Sequence, residues 1–141
     1  MNRKELEAFR KAYQQAAKKS IKANNGRGKP IEEQSNWVWF DRDSIQKLLD
    51  MTDPKTGGIK IYFGQYDKEN VEMLPRERRE KHDYIGRLSL ALVASNKTKT
   101  EYEDIYSESP QESDKDTLSL KSSGGPSPLN AGSVCPPDCT P

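Results

Sequence analysis

The sequence is short of the residues that do chemistry. Among 141 residues there is one histidine, His82, and there are two cysteines, Cys135 and Cys139. A structural zinc site takes four Cys or His ligands, usually arriving as two pairs, and this chain supplies three. Neither G-x-S-x-G nor H-E-x-x-H occurs, so the nucleophile elbow and the helical zinc-protease motif are excluded. "GRGKP" ends like a phosphate-binding loop, but Ala23 stands where the leading glycine belongs and Pro30 where Ser or Thr would hold magnesium. "DPKTGG" and Asp41 with Asp43 read as a turn and a helix start. No catalytic constellation emerges, and the expectation is a non-catalytic protein with no cofactor.

Long hydrophobic runs are also missing. No stretch approaches the roughly 20 apolar residues of a membrane-spanning helix. "MNRKELEAFRKAYQQAAKK" has no continuous apolar segment of the signal-peptide kind. The expectation is a cytoplasmic protein with reduced thiols. Apolar residues are scarce overall, at 32%, with a mean hydropathy of −1.01, against roughly 45–50% apolar in ordinary globular domains. They are unevenly placed, which predicts one small core with polar extensions.

Charge is abundant but divided. The net charge is +1. Residues 1–29 nevertheless carry nine Lys/Arg against Glu5 and Glu7, whereas residues 101–120 carry seven Asp/Glu against Lys115 alone. A basic head and an acidic tail can attract one another, seek separate partners, or simply be solvated.

Along residues 1–24, Leu6, Phe9, Tyr13 and Ala16 or Ala17 recur at steps of three and four, the stripe of an amphipathic basic helix that starts at the N-cap Asn2. Residues 25–30 read as a flexible linker. Residues 31–96 hold the core. In a short strand there, Trp37 and Trp39 face one way and Val38 and Phe40 the other. Asp41 caps a helix over 42–51 whose buried face is Ile45, Leu48 and Leu49, with Phe40 and Ile45 as a hydrophobic staple. "IKIYFGQYD" alternates Ile59, Ile61 and Phe63 against Lys60 and Tyr62. Val71, Met73 and Leu74 suggest a further strand, residues 75–83 a charged loop or helical turn, and "YIGRLSLALVAS" a strong strand. The fold class expected is α+β: a small antiparallel sheet with one packed helix, a separate N-terminal helix and a disordered C-terminal tail. Residues 97–128 read as an acidic disordered linker, with Tyr102, Ile105 and Tyr106 as a brief extension of the sheet.

Residues 129–141 form a tail containing Cys135-Pro136-Pro137-Asp138-Cys139. Pro136-Pro137 favours an extended helix that rises about 3.1 Å per residue and holds the cysteines about 12 Å apart. Metal chelation and disulfide formation both need a bend, which a β-turn around Pro137 and Asp138 would supply. A disulfide here would close a tiny loop in a disordered tail and stabilise no core.

Four stretches, "VWFDRDSIQKLL", "GGIKIYFGQYDKE", "YIGRLSLALVAS" and "LNAGSVCPPDC", together resemble a group of small bacterial proteins of the kind found in Bacteroidota. Its members combine an I-Y-F-G strand with a terminus of the form N-x-G-x-x-C-P-P-x-C. The resemblance covers residues 31–96 and 129–139 and implies no activity. It does imply that the cysteine terminus belongs to the design.

The leading expectation is therefore a protein-interaction module that presents its Cys-Pro-Pro-Asp-Cys tail to an unknown protein partner. The interaction residues would be Trp37, Trp39, Cys135, Pro136, Pro137, Asp138 and Cys139, since exposed tryptophans often anchor interfaces. An alternative is thiol chemistry, with Cys135 and Cys139 binding a metal or cycling between thiol and disulfide. A third reading attaches the basic helix to nucleic acid or an anionic membrane. A homo-oligomer is a further option.

Overall fold

The computed structural model describes residues 1–74, 81–106 and 132–140. The fold is α+β, and its chain divides into two compact units. A terminal unit comprises Met1–Trp39, Phe63–Leu90 and Ala131–Pro141, and a central unit comprises Phe40–Tyr62 and Ala91–Asn130. The core segment expected at 31–96 contributes to both. Among the described residues, no helix is long and apolar enough to cross a membrane.

The terminal unit opens with helix α1, Arg3–Gln15. The Asn2 side chain accepts from the Glu5 backbone N–H while the Glu5 carboxylate accepts from the Asn2 N–H, a reciprocal capping box. The helix breaks at Ala16 and resumes as α2, Ala17–Ser20. It buries no residue, and Leu6 and Phe9 are exposed. Tyr13 and Lys18 hydrogen-bond the segment before the first strand.

The flexible linker expected at 25–30 is instead a tight turn. Asn25 N–H donates to Lys29 O, its side chain accepts from the N–H groups of Arg27 and Lys29, and Asn24 bridges Pro30. Gly28 completes the reversal at φ +78°, a conformation that costs a glycine little. Asparagine and glycine produced the turn by side-chain-to-backbone bonding, which a reading of their flexibility alone overlooks.

Strand β1, Trp37–Trp39, pairs antiparallel with a strand from the far end of the sequence, Ser133–Cys135. The core of this unit is Tyr66, Val71, Leu74, Tyr84, Ile85 and Val134, with Val38 packed against it. Val71–Met73 is a 3-10 turn rather than the expected strand, and Lys81–Tyr84 is a single helical turn. The turn is set by Asp67, whose carboxylate accepts from the N–H groups of Glu69 and Asn70. Of the charged stretch expected at 75–83, residues 75–80 lie outside the described residues. Gly86 follows at φ +81°, where a Cβ would lie 2.5 Å from Asn24 O and 2.8 Å from Ile31 Cδ1.

The central unit follows its periodicity. Asp41 caps helix α3, Arg42–Asp50, accepting from Ser44 N–H at 2.9 Å and from Ser44 Oγ at 2.6 Å. Those bonds hold its carboxyl below the usual range. Leu48 is buried with Leu92 and Ala94, and Phe40, Ile45, Met51, Ile59 and Ile105 pack around them. Phe40 and Ile45 thus occupy the staple positions. Leu49 does not join the core and is exposed, although its four-residue spacing from Ile45 puts it on the same side of the helix.

The sheet has the order β2–β3–β4, from Gly57–Gln65, Leu88–Lys97 and Tyr102–Asp104. Strand β4 pairs antiparallel with β3, Ser95 opposite Asp104, within the acidic stretch and where Tyr102 and Ile105 are expected to extend the sheet briefly. Ile105 supplies the reason: it donates its N–H to Ala94 O and packs against the core. The remainder of the acidic linker, from residue 107, lies outside the described residues. The terminal strand, Ser133–Cys135, is β5. The tail expected to be disordered and separate is thus, over residues 132–140, part of the terminal unit.

Candidate interaction face

Cross-strand register builds this face. Trp37 lies opposite Cys135, Val38 opposite Val134, and Trp39 opposite Ser133. Because side chains alternate along a strand, Val38 and Val134 point together into the core, where Val134 is 1% exposed. The same alternation turns Trp37 and Trp39 outward, at 41% and 59% exposed. Cys135, on the same pleat as Trp37, is buried, whereas Cys139 is exposed.

Beyond β5 the chain reverses. Asp138 N–H donates to Val134 O at 2.8 Å, and Cys139 N–H to Pro137 O at 3.1 Å. The peptide bonds before Pro136 and Pro137 are both cis. Cys135 and Cys139 are joined in a disulfide with their Cα atoms 4.7 Å apart. The Tyr84 hydroxyl, 1% exposed as a residue, hydrogen-bonds the Asp138 carboxylate. Its ring meets Tyr66 edge-on, with centroids 6.5 Å apart. The loop is therefore fastened to the core at both ends.

Two expectations change here. The thiols expected to be reduced are bonded to each other, because the chain does not follow the extended path that would hold them about 12 Å apart. The bridge also lies against a packed strand, rather than in a tail without a core. In this form neither sulfur is a thiolate, the species that ligates metals. Among the described residues, no group of three or more His, Cys, Asp or Glu is placed to hold a metal ion.

The segment leading into β1 is fixed by polar contacts. Buried Gln34 donates from Nε2 to Gly86 O at 2.9 Å, and its Oε1 accepts from Leu88 N–H at 2.9 Å. Ser35 Oγ donates to Leu88 O at 2.6 Å, and Tyr13 OH to Ser35 O at 2.9 Å. Partial burial raises the Tyr13 pKa. Lys18 Nζ reaches Glu33 Oε1 at 2.9 Å and Asn36 Oδ1 at 2.7 Å. The Glu33 carboxyl is lowered, first by its hydrogen bond from Asn36 and then by Lys18. Arg87 donates to the backbone oxygens of Asp83 and Glu33, and burial lowers its pKa. Asn36 N–H donates to Cys135 O, so the network runs to the disulfide itself.

All seven residues expected at the interaction site thus belong to one unit. Trp37 and Cys135 are direct cross-strand neighbours, and Asp138 is bound to Tyr84. Sequence reasoning missed Gln34, Ser35 and Tyr84, which position them. The available signal was Val134-Cys135, an apolar pair in polar surroundings, since cysteine is among the residues most often buried. Comparison with protein-family models, curated proteins and solved structures finds no match to this chain.

Proposed function

We propose that the protein is a non-catalytic interaction module whose binding face is Trp37 and Trp39, flanked by the closed Cys135–Cys139 loop. The observation that carries this reading is the exposure of both tryptophans on a strand whose other face is anchored in the core by Val38. Burying a tryptophan removes a large apolar area from water, and rigid aromatic side chains lose little conformational freedom on binding. Among the described residues, strand β1 has one neighbour, in a two-stranded sheet, which leaves its other edge for an added strand. The partner is a protein segment in extended conformation, adding a strand to that edge and laying aliphatic or proline side chains on the indoles.

Peptides selected from a random library on the full-length chain test this. The expected binders are extended, apolar sequences whose affinity falls at least tenfold in Trp37→Ala/Trp39→Ala with the melting transition retained. Selected peptides that bind this variant as well as the wild type would overturn the reading.

A second reading makes the face redox-responsive, favoured by the pairing of a buried Cys135 with an exposed Cys139. A cellular dithiol would donate two electrons and two protons, becoming a disulfide while Cys135 and Cys139 become thiols. The loop that holds Asp138 against Tyr84 would then loosen. Peptide affinity that is equal with and without a dithiol reductant rejects this second reading and leaves the first intact.

A further inference from the structure

The central unit has a cleft that plays no part in the tryptophan face. Its volume is about 1120 Å³, and its walls come from the turn and strand at residues 55–60, from the end of β3 and its following turn, and from Tyr102. That is slightly above the roughly 300–1,000 Å³ of small-molecule sites.

Four lysines, Lys55, Lys60, Lys97 and Lys99, line it, and no carboxylate does. Lys60 is held in place: its Nζ lies 2.5 Å from Asp104 Oδ1, donates to Tyr102 O at 2.7 Å and sits 5.6 Å from the centre of the Tyr62 ring. Lys55, Lys97 and Lys99 have no ion pair among the described residues. Exposed lysines around one concavity whose lining holds no carboxylate make it electropositive, which favours an anion of more than one charge.

An independent observation points the same way. Ser95, on the middle strand, lines the cleft and is 5% exposed. Its Oγ has no hydrogen-bond partner among the described residues. Buried hydroxyls are ordinarily satisfied, so the wall of the cleft contains a polar atom whose bonding is incomplete. At the rim, Tyr102 is 62% exposed and presents a flat aromatic surface.

We propose that this cleft binds a small polyphosphate-bearing ligand with a planar ring, a nucleoside diphosphate in chemical class. Lys55, Lys97 and Lys99 hold the phosphates as point charges, and Tyr102 stacks on the ring. The neighbouring backbone at Gly58, where a Cβ would meet nothing within 4 Å, leaves open space for it.

Calorimetric titration of the full-length chain with ADP and, separately, with inorganic pyrophosphate tests the assignment. ADP is expected to bind more tightly than pyrophosphate. Lys55→Gln/Lys97→Gln/Lys99→Gln should weaken both at least tenfold, and these exposed side chains can be changed without altering the melting transition. Tyr102→Ala should weaken ADP several-fold and leave pyrophosphate unchanged, separating ring recognition from charge. Undiminished binding to the triple variant would overturn the proposal, as would the absence of heat with both probes. Tighter binding of a single-stranded oligothymidylate than of ADP would also overturn it, in favour of a nucleic-acid strand.

Discussion

The two units solve the same problem in different ways. The central unit draws much of its core from one short helix and adjoining strands, with Phe40, Ile45, Leu48 and Met51 from the helix and its flanks against Ile59, Leu92 and Ala94. The terminal unit assembles its core from residues that no local period connects: Val38, Tyr66, Val71, Leu74, Tyr84, Ile85 and Val134. Such non-local contacts return little until distant segments meet. The terminal unit accordingly relies on a polar network through Gln34, Ser35 and Tyr84, and on a closing strand tied by a disulfide. The comparison teaches that the candidate interaction face exists because a C-terminal strand completes a core begun at Val38.

Removing that strand should sharpen the contrast most. A chain ending at Asn130 loses Val134, its β1 ladder and the disulfide. Burial of a valine contributes about 1.5–3 kcal/mol, and closing a five-residue loop about 2 kcal/mol in the chain-entropy account. The expected loss is roughly 3.5–5 kcal/mol, a large share of the 5–15 kcal/mol typical of a domain. Hydrogen exchange should show it as lost protection at residues 66, 71, 74, 84 and 85.

Leu48→Ala is the matching change in the central unit. It empties a fully buried site, so the expected cost is about 2–5 kcal/mol, read by urea denaturation. Its partly buried neighbours Ile45 and Met51 can close over the gap, which places the value in the lower half of that range. Lost protection should centre on the amides of 45–51 and 92–94.

Cys135→Ser/Cys139→Ser is a smaller perturbation, about 2 kcal/mol by the same loop argument. The difference between wild type and variant in thermal melts should vanish when wild type is fully reduced by a dithiol. A variant that melts with the oxidised wild type would mean that strand pairing alone closes the terminal core.

The smallest effect is a titration in the central unit. Asp104 accepts hydrogen bonds from the Tyr62 and Tyr106 hydroxyls and faces Lys60. These contacts, Lys60 first, hold its carboxyl below the usual range, and Asp104 in turn raises Tyr106. The Asp104 contribution to stability is present above its unfolded pKa of about 3.9 and is lost as pH falls through the lower folded value. The Tyr106 contribution is present below its unfolded pKa of about 10 and is lost as pH rises through the higher folded value. Asp104→Asn should return phenolate formation, followed by ultraviolet absorbance, toward the ordinary tyrosine range.

The same contrast explains what the sequence made legible. The N-caps Asn2 and Asp41 and the Phe40/Ile45 staple are short-range codes, and the structure uses all of them; the partners Glu5 and Ser44 came with the structure. The alternation of Trp37, Val38 and Trp39 put both indoles on one side of the strand, but that this side faces water came only with the structure. The partner of β1 was illegible because Val134 and Cys135 stand in a polar stretch far along the chain, where three residues are too few to establish a period. Asn25 and Asp67 misled for another reason: their side chains organise turns that composition reads as linker or strand. Leu49 shows the limit even of periodicity: its spacing from Ile45 fits the stripe, yet the packed core stops short of it.

The pairing of residues 37–39 with 133–135 is the claim on which the interaction face depends, and nuclear Overhauser effects in the isotopically labelled, oxidised full-length chain test it most directly. The account predicts cross-strand contacts that place Trp37 opposite Cys135 and Trp39 opposite Ser133, with Val134 side-chain contacts to the Tyr84 ring. Random-coil shifts over 132–139, with no contacts to 37–39, would contradict it and return the cysteine segment to a free tail.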